Sequence, residues 1–362
     1  GEMPETVVVI LGNDGQGRPI FSALVKRTYS IRDGGCTLSK DTSPFVRVDD
    51  YYDDGDPLIA TIKFENELIP YKPATDVVIV GKAYAPDGRP TTEMTVSAEV
   101  GDLKKRIAVI GDRYCIFRKR RAPEFSEPAR FTEMEIRYER AYGGWDTRSE
   151  PNIPFAYPRN PLGTGFAIGN HPDHIEGLRL PNIEDPRDLL TPERLILGDP
   201  NRWNRQPLPQ GFGWFQRNWY PRCSFAGTLP AFVQPDEVMR EETMGLVPKG
   251  QIALGLQMKL PSFDVRFNNG ASLGMAMPGM SGSEAVRLRN MTPEGELIFD
   301  LPGQEPSITL DIGLGGNKLR PHLDTVCIQP DKPQVDMVWR GSHRYPGNDW
   351  LPNMKRMDVE VH

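Results

Sequence analysis

Residues 143–235 are the part of the chain that most constrains its fold. This stretch holds 10 Gly and 14 Pro and almost no long periodic pattern of apolar residues. A segment of this length without regular elements is commonly either functional or disordered. Disorder fits poorly, because four of the six Trp lie between Trp145 and Trp219 and disordered segments are poor in aromatics. We therefore interpret the stretch as an ordered loop region that forms a binding surface.

Aromatic and arginine residues cluster at three places in and beside this loop region: Tyr138 to Asp146, Arg159 to Phe166, and Gly211 to Arg222. No catalytic signature lies among them. Rigid aromatic rings and planar guanidinium groups are the side chains that most often anchor protein interfaces. The candidate partner-binding residues are Arg140, Trp145, Arg217, Trp219 and Arg222. The alternative is that they pin the loops to the sheets by stacking and by hydrogen bonds from arginine to carbonyl oxygens.

Composition indicates a mainly β fold. The 362 residues include 35 Gly and 35 Pro, and the hydrophobic content is 38 %, which favours short strands and turns around a sizeable core. The fold class is predicted to be antiparallel sheets, meander or sandwich-like, with a long Gly/Pro-rich insert and few short helices. We divide the chain into a β-rich unit (1–142), a loop-rich insert packed on the sheets (143–248) and a second β-rich unit (249–362), with one continuous domain as the alternative.

The clearest strand signal lies in residues 76–119, where short turns separate apolar segments and predict a four-stranded meander. Within it Met94, Val96, Ala98 and Val100 alternate with polar residues, as in a half-buried strand. Two helices are predicted, in Asp185 to Leu197 and in Gln234 to Met244. Further strands are predicted at Thr6–Leu11, Ile20–Ile31, Leu58–Glu65 and Arg130–Tyr138, and at Val286/Leu288, Leu297/Phe299/Leu301, Ile308/Leu310/Ile312 and Val335/Met337/Trp339.

A hairpin turn at Gly111-Asp112 would place Lys105 opposite Arg118. Like charges directly across two strands are destabilising, so this end of the hairpin is expected to need a counter-charge. The acidic runs of the chain itself could supply it. An acidic segment of a partner is the alternative, which makes Lys105 and Arg118 candidate binding residues.

Charge and cysteine usage narrow the class of protein. The net charge of −6 argues against wholesale nucleic-acid binding, so any such contact would be local. Four widely spaced cysteines form neither CxxC pairs nor a dense framework, which favours a reducing compartment. No apolar run reaches the length of a membrane span. We expect a cytoplasmic protein without membrane contact.

Signals for metals and cofactors are weak. His171, Asp173 and His174 are close in sequence, but Pro172 and the lack of a further Cys/His pair count against a metal site. The acidic run from Asp49 to Asp56 lacks the carboxylate expected at the twelfth position of a calcium loop. The prediction is no metal, no cofactor and no catalytic residue.

Several motifs in one order resemble the bacterial DUF2169 family, and the resemblance covers nearly the whole chain. It rests on many uncommon motifs in sequence. They are Tyr71-Lys72-Pro73-Ala74-Thr75-Asp76, Gly81, Ala85-Pro86-Asp87-Gly88-Arg89-Pro90, Tyr138-Glu139-Arg140-Ala141-Tyr142-Gly143-Gly144, Arg159-Asn160-Pro161-Leu162-Gly163, Leu180-Pro181-Asn182-Ile183-Glu184-Asp185-Pro186, Trp219-Tyr220-Pro221-Arg222, Phe263-Asp264-Val265-Arg266-Phe267-Asn268-Asn269 and Val338-Trp339-Arg340.

The resemblance implies a non-enzymatic adaptor or chaperone for type VI secretion effectors. The implied partners are an effector toxin, a PAAR-repeat protein or domain and the valine-glycine-repeat spike. No site residues carry over from the family. Residues 272–282, rich in Met and Gly, follow the family pattern only loosely, so a contact there would be specific to this protein.

A carbohydrate-binding or carbohydrate-active β-sandwich is the alternative function. Trp and Tyr faces beside carboxylates also suit sugars, and two carboxylates can act as a general acid/base pair. Glu139 and Asp146 are the candidate carboxylates, although the sequence does not set their separation.

Overall fold

The computed structural model describes residues 6–54, 56, 59–118, 121–150, 153–169, 172–226, 263–311, 313, 315–344 and 358–361. Over these ranges the protein is mainly β, as the composition predicts. The helices are short: α1 (Pro172–Ile175), α2 (Pro192–Leu195) and 3-10 turns at Tyr52–Asp54, Pro86–Gly88, Tyr138–Arg140, Pro200–Arg205, Arg222–Ala226 and Val265–Asn268. None of the helices in the described ranges has the length and apolarity that crossing a bilayer requires.

The strands occur in chain order as follows: β1 (Val7–Asn13), β2 (Pro19–Arg32), β3 (Gly35–Leu38), β4 (Asp50–Tyr51), β5 (Ile62–Phe64), β6 (Thr75–Ile79), β7 (Lys82–Tyr84), β8 (Glu93–Val100), β9 (Leu103–Ile110), β10 (Cys115–Ile116), β11 (Glu124–Phe125), β12 (Glu133–Glu135), β13 (Tyr142–Gly143), β14 (Trp145–Asp146), β15 (Phe155–Ala156), β16 (Thr164–Gly165), β17 (Ile183–Glu184), β18 (Ala276–Met277), β19 (Ala285–Arg289), β20 (Glu296–Asp300), β21 (Ile308–Asp311), β22 (Gly316–Leu319), β23 (Pro321–Gln329), β24 (Gln334–Arg344) and β25 (Asp358–Val361).

Two larger sheets organise the fold. The first has seven strands in the order β1-β2-β24-β23-β6-β18, with β3 also paired to β2. All of its pairs are antiparallel except β23 with β6. The second sheet is antiparallel, in the order β17-β9-β8-β19-β20. In each of the two sheets, strands from the first part of the chain therefore pair with strands from its last part.

The main core lies between these two sheets. Phe21 and Val25 from the first sheet join Val96 and Ile107 from the second in one buried cluster. The alternate side chains of the first sheet, such as Leu24, face the other way and pack with Phe45. Because strand side chains alternate between faces, the first sheet is covered on both sides.

The loop region has a core of its own as far as residue 226. Tyr142, Tyr157, Trp203 and Tyr220 are buried together in it. Their rings meet edge to face, with centroid separations of 5.1 Å for Tyr142–Tyr157, 6.3 Å for Tyr157–Trp203 and 5.3 Å for Trp203–Tyr220. The aromatic residues thus stabilise an ordered loop region, as the sequence predicts for an aromatic-rich segment.

Most strand predictions outside the loops are confirmed. β1, β2, β19, β20, β21 and β24 match the predicted segments, and the alternation in β8 is as expected, with Val96, Ala98 and Val100 fully buried. In the other two predicted segments, the described residues 59–65 and 130–138 supply only the short strands β5 and β12.

The four-stranded meander is wrong except for its central hairpin. β8 pairs with β9 through the turn at Gly101-Asp102, but β6 lies in the other sheet, and β7 pairs with β12. β10 pairs with β11 rather than returning along β9, whose second neighbour is β17. Within Asp185–Leu197 only α2 is helical, and the predicted helix at Gln234–Met244 lies outside the described residues.

Candidate functional site: an apolar groove over buried ion pairs

One open groove of about 430 Å³ is lined by segments that are far apart in the sequence. They come from the chain before β6, from the loop around the 3-10 turn at 222–226, and from the segment that leads into β18. A volume of this size is typical of sites that accept a ligand or a few side chains. The lining residues are Pro73, Ala74, Phe215, Pro221, Arg222, Phe225, Arg266, Asn269, Ala271, Ser272, Leu273, Gly274, Ala276 and Pro278.

The wall formed by residues 269–271 is fixed by the buried carboxylate of Asp76 at β6. Its oxygens accept hydrogen bonds from the Asn269 side chain at 3.0 Å and from the backbone N–H groups of Gly270 and Ala271 at 3.0 and 3.1 Å. Lys72 Nζ lies 2.8 Å from the same carboxylate. A buried carboxylate with this many donors holds a loop rigidly.

Lys72 stays charged although it is buried. Burial lowers its pKa, but Asp76 and Asp324 raise it more, so the pKa lies above the ordinary value for lysine. Its ammonium group also lies 5.4 Å from the centre of the Trp214 ring, a favourable cation–π distance.

A second buried ion pair supports the opposite wall. Arg222 and Glu65 are 4 % and 1 % exposed, and their atoms Nη1 and Oε1 lie 2.7 Å apart. Arg222 Nε also donates to the Phe267 carbonyl at 2.9 Å. Arg217 contacts Asp49 and lies 3.3 Å from Glu65. Burial lowers the pKa of Arg217, while Glu65 and Asp49 raise it above its ordinary value.

Gly270 is required where these two networks meet. A Cβ at this position would lie 2.2 Å from Oε2 of Glu65, far inside the contact distance. The absence of a side chain lets the backbone that binds Asp76 approach the Glu65–Arg222 pair. The two networks thus hold both walls of the groove together.

Trp219 forms the packing behind the groove. Its ring meets Tyr138 and Phe215 edge to face, at centroid separations of 5.0 and 5.2 Å. The hydroxyl groups of Tyr138 and Ser272 share a hydrogen bond of 2.7 Å, which connects this aromatic cluster to the groove lining.

Comparison with family profiles gives one finding. The DUF2169 profile, described as an uncharacterized protein conserved in bacteria, matches residues 16–340, about nine tenths of the chain. The chain belongs to the DUF2169 family. Comparisons with curated proteins and with solved structures found no match.

Several of the sequence motifs that resemble the DUF2169 family meet at the groove. Residues 71–76, 219–222 and 263–269 each contribute a side chain to its lining or to the ion pairs beneath it. They are joined there by the segment 272–278, which forms one wall.

The candidate partner-binding residues are spread over different environments. Arg217 and Arg222 support the groove through ion pairs, and Trp219 is 1 % exposed, so in this structure its ring contacts other side chains of the chain. Arg140 lies elsewhere, where it binds Asn182 at 3.1 Å. Trp145 is 55 % exposed and remains available to a partner.

The predicted pairing of Lys105 with Arg118 is wrong. In β9, Lys105 lies opposite Ala98 of β8, on the same strand face as the buried residues Leu103 and Ile107. Arg118 is exposed and lies beyond β10, outside this sheet. The turn at Gly111-Asp112 does not form a hairpin, so no like charges face each other there.

Lys105 instead supports the groove from behind. Its Nζ donates to the carbonyl oxygen of Leu273, a lining residue, at 2.7 Å. Burial lowers the pKa of Lys105 to about 7, although Asp185 acts in the opposite direction.

The carboxylates considered for sugar chemistry are occupied by internal hydrogen bonds. Glu139 accepts from the N–H of Thr61 at 2.7 Å and from its hydroxyl. Asp146 accepts from the N–H groups of Ser149 and Ile168 at 2.9 and 2.7 Å. Burial raises the pKa of Asp146, but hydrogen bonds from Ser149 and Ile168 lower it by more. The pKa of Asp146 is therefore below its ordinary value. A lowered pKa does not suit a general acid.

The four cysteines are free thiols. Burial raises the pKa of Cys36 and Cys115 to about 11 and of Cys223 to about 12, and also raises that of Cys327. Raised values keep these thiols protonated and weakly nucleophilic. Among the residues that the structure describes, no group of three or more His, Cys, Asp or Glu is placed to hold a metal ion; His171 of the weak metal candidate is outside them.

Glu65, Asp76 and Asn269 were not predicted from the sequence as site residues. Glu65 lies in a predicted strand, and the other two lie in family-like motifs. The available signal was the presence of charged and amide side chains beside buried strands, since a buried charge requires a partner. The sequence alone did not identify those partners, because they lie about 150 to 200 residues away.

Proposed function

We propose that this protein is a non-enzymatic cytoplasmic adaptor or chaperone that binds a type VI secretion effector and helps load it onto the spike or its PAAR tip. The identity of the partners comes from the family resemblance described above. The proposal requires no cofactor, membrane or nucleic acid.

The observation that carries the proposal is the groove itself. Most of its lining is apolar, while Arg222, Arg266 and Asn269 supply polar groups at fixed positions. Protein interfaces commonly combine apolar anchor pockets with a polar rim. The buried pairs Lys72–Asp76 and Glu65–Arg222 hold the walls in place before a partner arrives, and such preorganisation reduces the entropic cost of binding.

An adaptor must also release its cargo. A groove that accepts a few apolar side chains gives moderate affinity rather than the very tight binding of large obligate interfaces. We infer that one short apolar segment of the effector, or of its PAAR partner, inserts here.

Ala276→Arg tests the groove as the cargo site. Ala276 is an exposed lining residue in β18, so a long charged side chain should obstruct the groove at little cost in stability. The matched control is Ala285→Arg, an exposed alanine on β19 in the other sheet. The tagged proteins are used to capture partners from lysate of the native host with the secretion genes expressed, and mass spectrometry identifies the partners.

We expect the unmodified protein and A285R to recover a toxin-domain protein with PAAR or spike components. A276R should recover them at least about tenfold less, corresponding to a loss of about 1.4 kcal/mol in binding free energy. Equal recovery by A276R would place the cargo site elsewhere. If the unmodified protein recovers none of these components, the adaptor proposal itself fails.

A further inference from the structure

Within the residues that the structure describes, strand β1 leaves one edge of the seven-stranded sheet open. It is the terminal strand of that sheet, and its described neighbour is β2. The N–H of Lys26 donates to the carbonyl of Thr6 at 2.9 Å, and the N–H of Asp14 donates to the carbonyl of Arg18 at 2.9 Å. These two bonds show that even-numbered residues direct their backbone groups toward β2. By the alternation of an antiparallel ladder, the odd-numbered residues of β1 direct theirs outward.

The described strand β1 carries none of the sequence features that usually protect a sheet edge. Charged side chains, proline, bulges or very short strands normally discourage pairing. β1 is a seven-residue strand of sequence VVVILGN, without charge or proline, and Leu11 is 52 % exposed. By contrast, the edge strand β20 carries Glu296 and Asp300, and β18 at the far edge of the first sheet has two residues.

A strand that completes this edge must meet two requirements. It must be uncharged over about seven residues, and it must offer apolar side chains on both faces. Both faces of β1 are apolar, because Val8 and Ile10 pack with the Leu24 cluster, whereas Val7 and Val9 pack with the main core. β1 itself meets both requirements, and a two-fold interface needs a surface that is complementary to itself.

We propose that β1 pairs antiparallel with β1 of a second copy of this chain, so that two seven-stranded sheets become continuous across a two-fold axis. The register with the longest overlap places Ile10 opposite Ile10 of the second copy and Val9 opposite its Leu11. The outward groups of Val7, Val9, Leu11 and Asn13 then form about eight hydrogen bonds between the copies. Leu11 becomes covered by Val9 of the second copy.

Sedimentation equilibrium of the full chain tests the association, over loading concentrations from about 1 to about 100 µM. The unmodified protein should change from monomer to dimer across this range. Leu11→Lys places a charge on the edge and should weaken dimerisation at least about tenfold. Ile298→Lys, at a residue of similar exposure (48 %) on β20, should dimerise like the unmodified protein. A monomer at every concentration, or equal dimerisation by L11K and I298K, overturns the proposal.

A cysteine cross-link tests the register independently. In the proposed pairing the two Ile10 residues form a non-hydrogen-bonded pair, whose Cα atoms lie about 4.5 Å apart, within the range for a disulfide. Ile10→Cys should therefore give a covalent dimer on mild oxidation. Leu11→Cys is the matched control, because the two Leu11 residues are offset along the strands and should cross-link much less. Efficient cross-linking by L11C but not I10C would overturn this register.

Discussion

The pair formed by Glu65 and Arg222 is buried, so its two charges depend on each other. Removal of one partner from a buried ion pair costs about 3–5 kcal/mol; without Arg222, Glu65 keeps its contact with Arg217 at 3.3 Å, so we take the lower end of that range, about 3 kcal/mol. We expect Arg222→Met to lower the free energy of unfolding by that amount in urea titrations. Arg266→Met is the matched control, because Arg266 is exposed and paired with Asp264, and an exposed pair contributes at most about 1 kcal/mol. Similar losses in both variants would show that the buried pair is not a special source of stability.

Lys105 should make stability depend on pH. Its pKa is about 7 in the folded chain against an ordinary value of 10.5, so between these values the unfolded state binds more protons and stability rises with pH. Because Lys105 is half-buried, we expect the unmodified protein to gain about 1 kcal/mol over Lys105→Met between about pH 7 and about pH 9. Urea titrations at the two pH values measure this difference.

Lys104→Met provides the control for this titration, since Lys104 is the exposed neighbour on the same strand. If K104M and K105M change equally with pH, the effect does not come from the lysine behind the groove.

At the scale of the elements, Gly111 lies at the end of β9, at the point where the second predicted hairpin does not form. Its N–H donates to the Thr92 carbonyl, and a Cβ at Gly111 would lie 1.8 Å from the carbonyl oxygen of Ala129. The chain therefore crosses another backbone segment here. We expect Gly111→Ala to lower the free energy of unfolding by more than about 2 kcal/mol. Gly213→Ala, where a Cβ has open space, should have a much smaller effect. Thermal melts of the two variants check this difference, and equal melting temperatures would contradict it.

Local patterns were sufficient to predict the strands that pack against the main core. The alternation in β8 and the turn at Gly101-Asp102 are encoded by neighbouring residues, so the β8–β9 hairpin was predictable. The Gly111-Asp112 turn has the same local signal, but the position beside β9 is taken by β17, more than 70 residues away. Periodicity identifies a strand and its buried face, but it does not identify the neighbour of that strand.

The groove could be predicted only in part for the same reason. Composition predicted an ordered loop region, and Arg217 and Arg222 were candidate partner-binding residues, whereas the structure places both in ion pairs with Glu65. Their carboxylate partners Asp49 and Glu65 precede them by more than 150 residues, and no local spacing connects them. Trp219 was predicted as a candidate binding residue, but its ring is buried. A tryptophan that packs a loop and one that binds a partner have the same local sequence pattern, so the sequence does not distinguish them.

At the scale of the whole molecule, the order of strands makes the two β-rich parts depend on each other. β2 pairs with β24 from Ile20↔Arg344 to Ser30↔Gln334, and β24 and β23 lie between β2 and β6. In the second sheet, β8 likewise has β19 as its neighbour. Each part alone would expose the edges of central strands, which are stable only when paired and covered.

We therefore expect a fragment of residues 1–142 to remain unfolded, with poorly dispersed amide resonances and no cooperative thermal transition. Co-expression with residues 143–362 should restore a complex that melts cooperatively, because it resupplies β19, β23 and β24. The full chain is the reference for both measurements. A fragment 1–142 that melts cooperatively by itself would show that the first β-rich unit is an independent domain. In that case, strand pairing between the two ends of the chain would not be the source of cooperative folding.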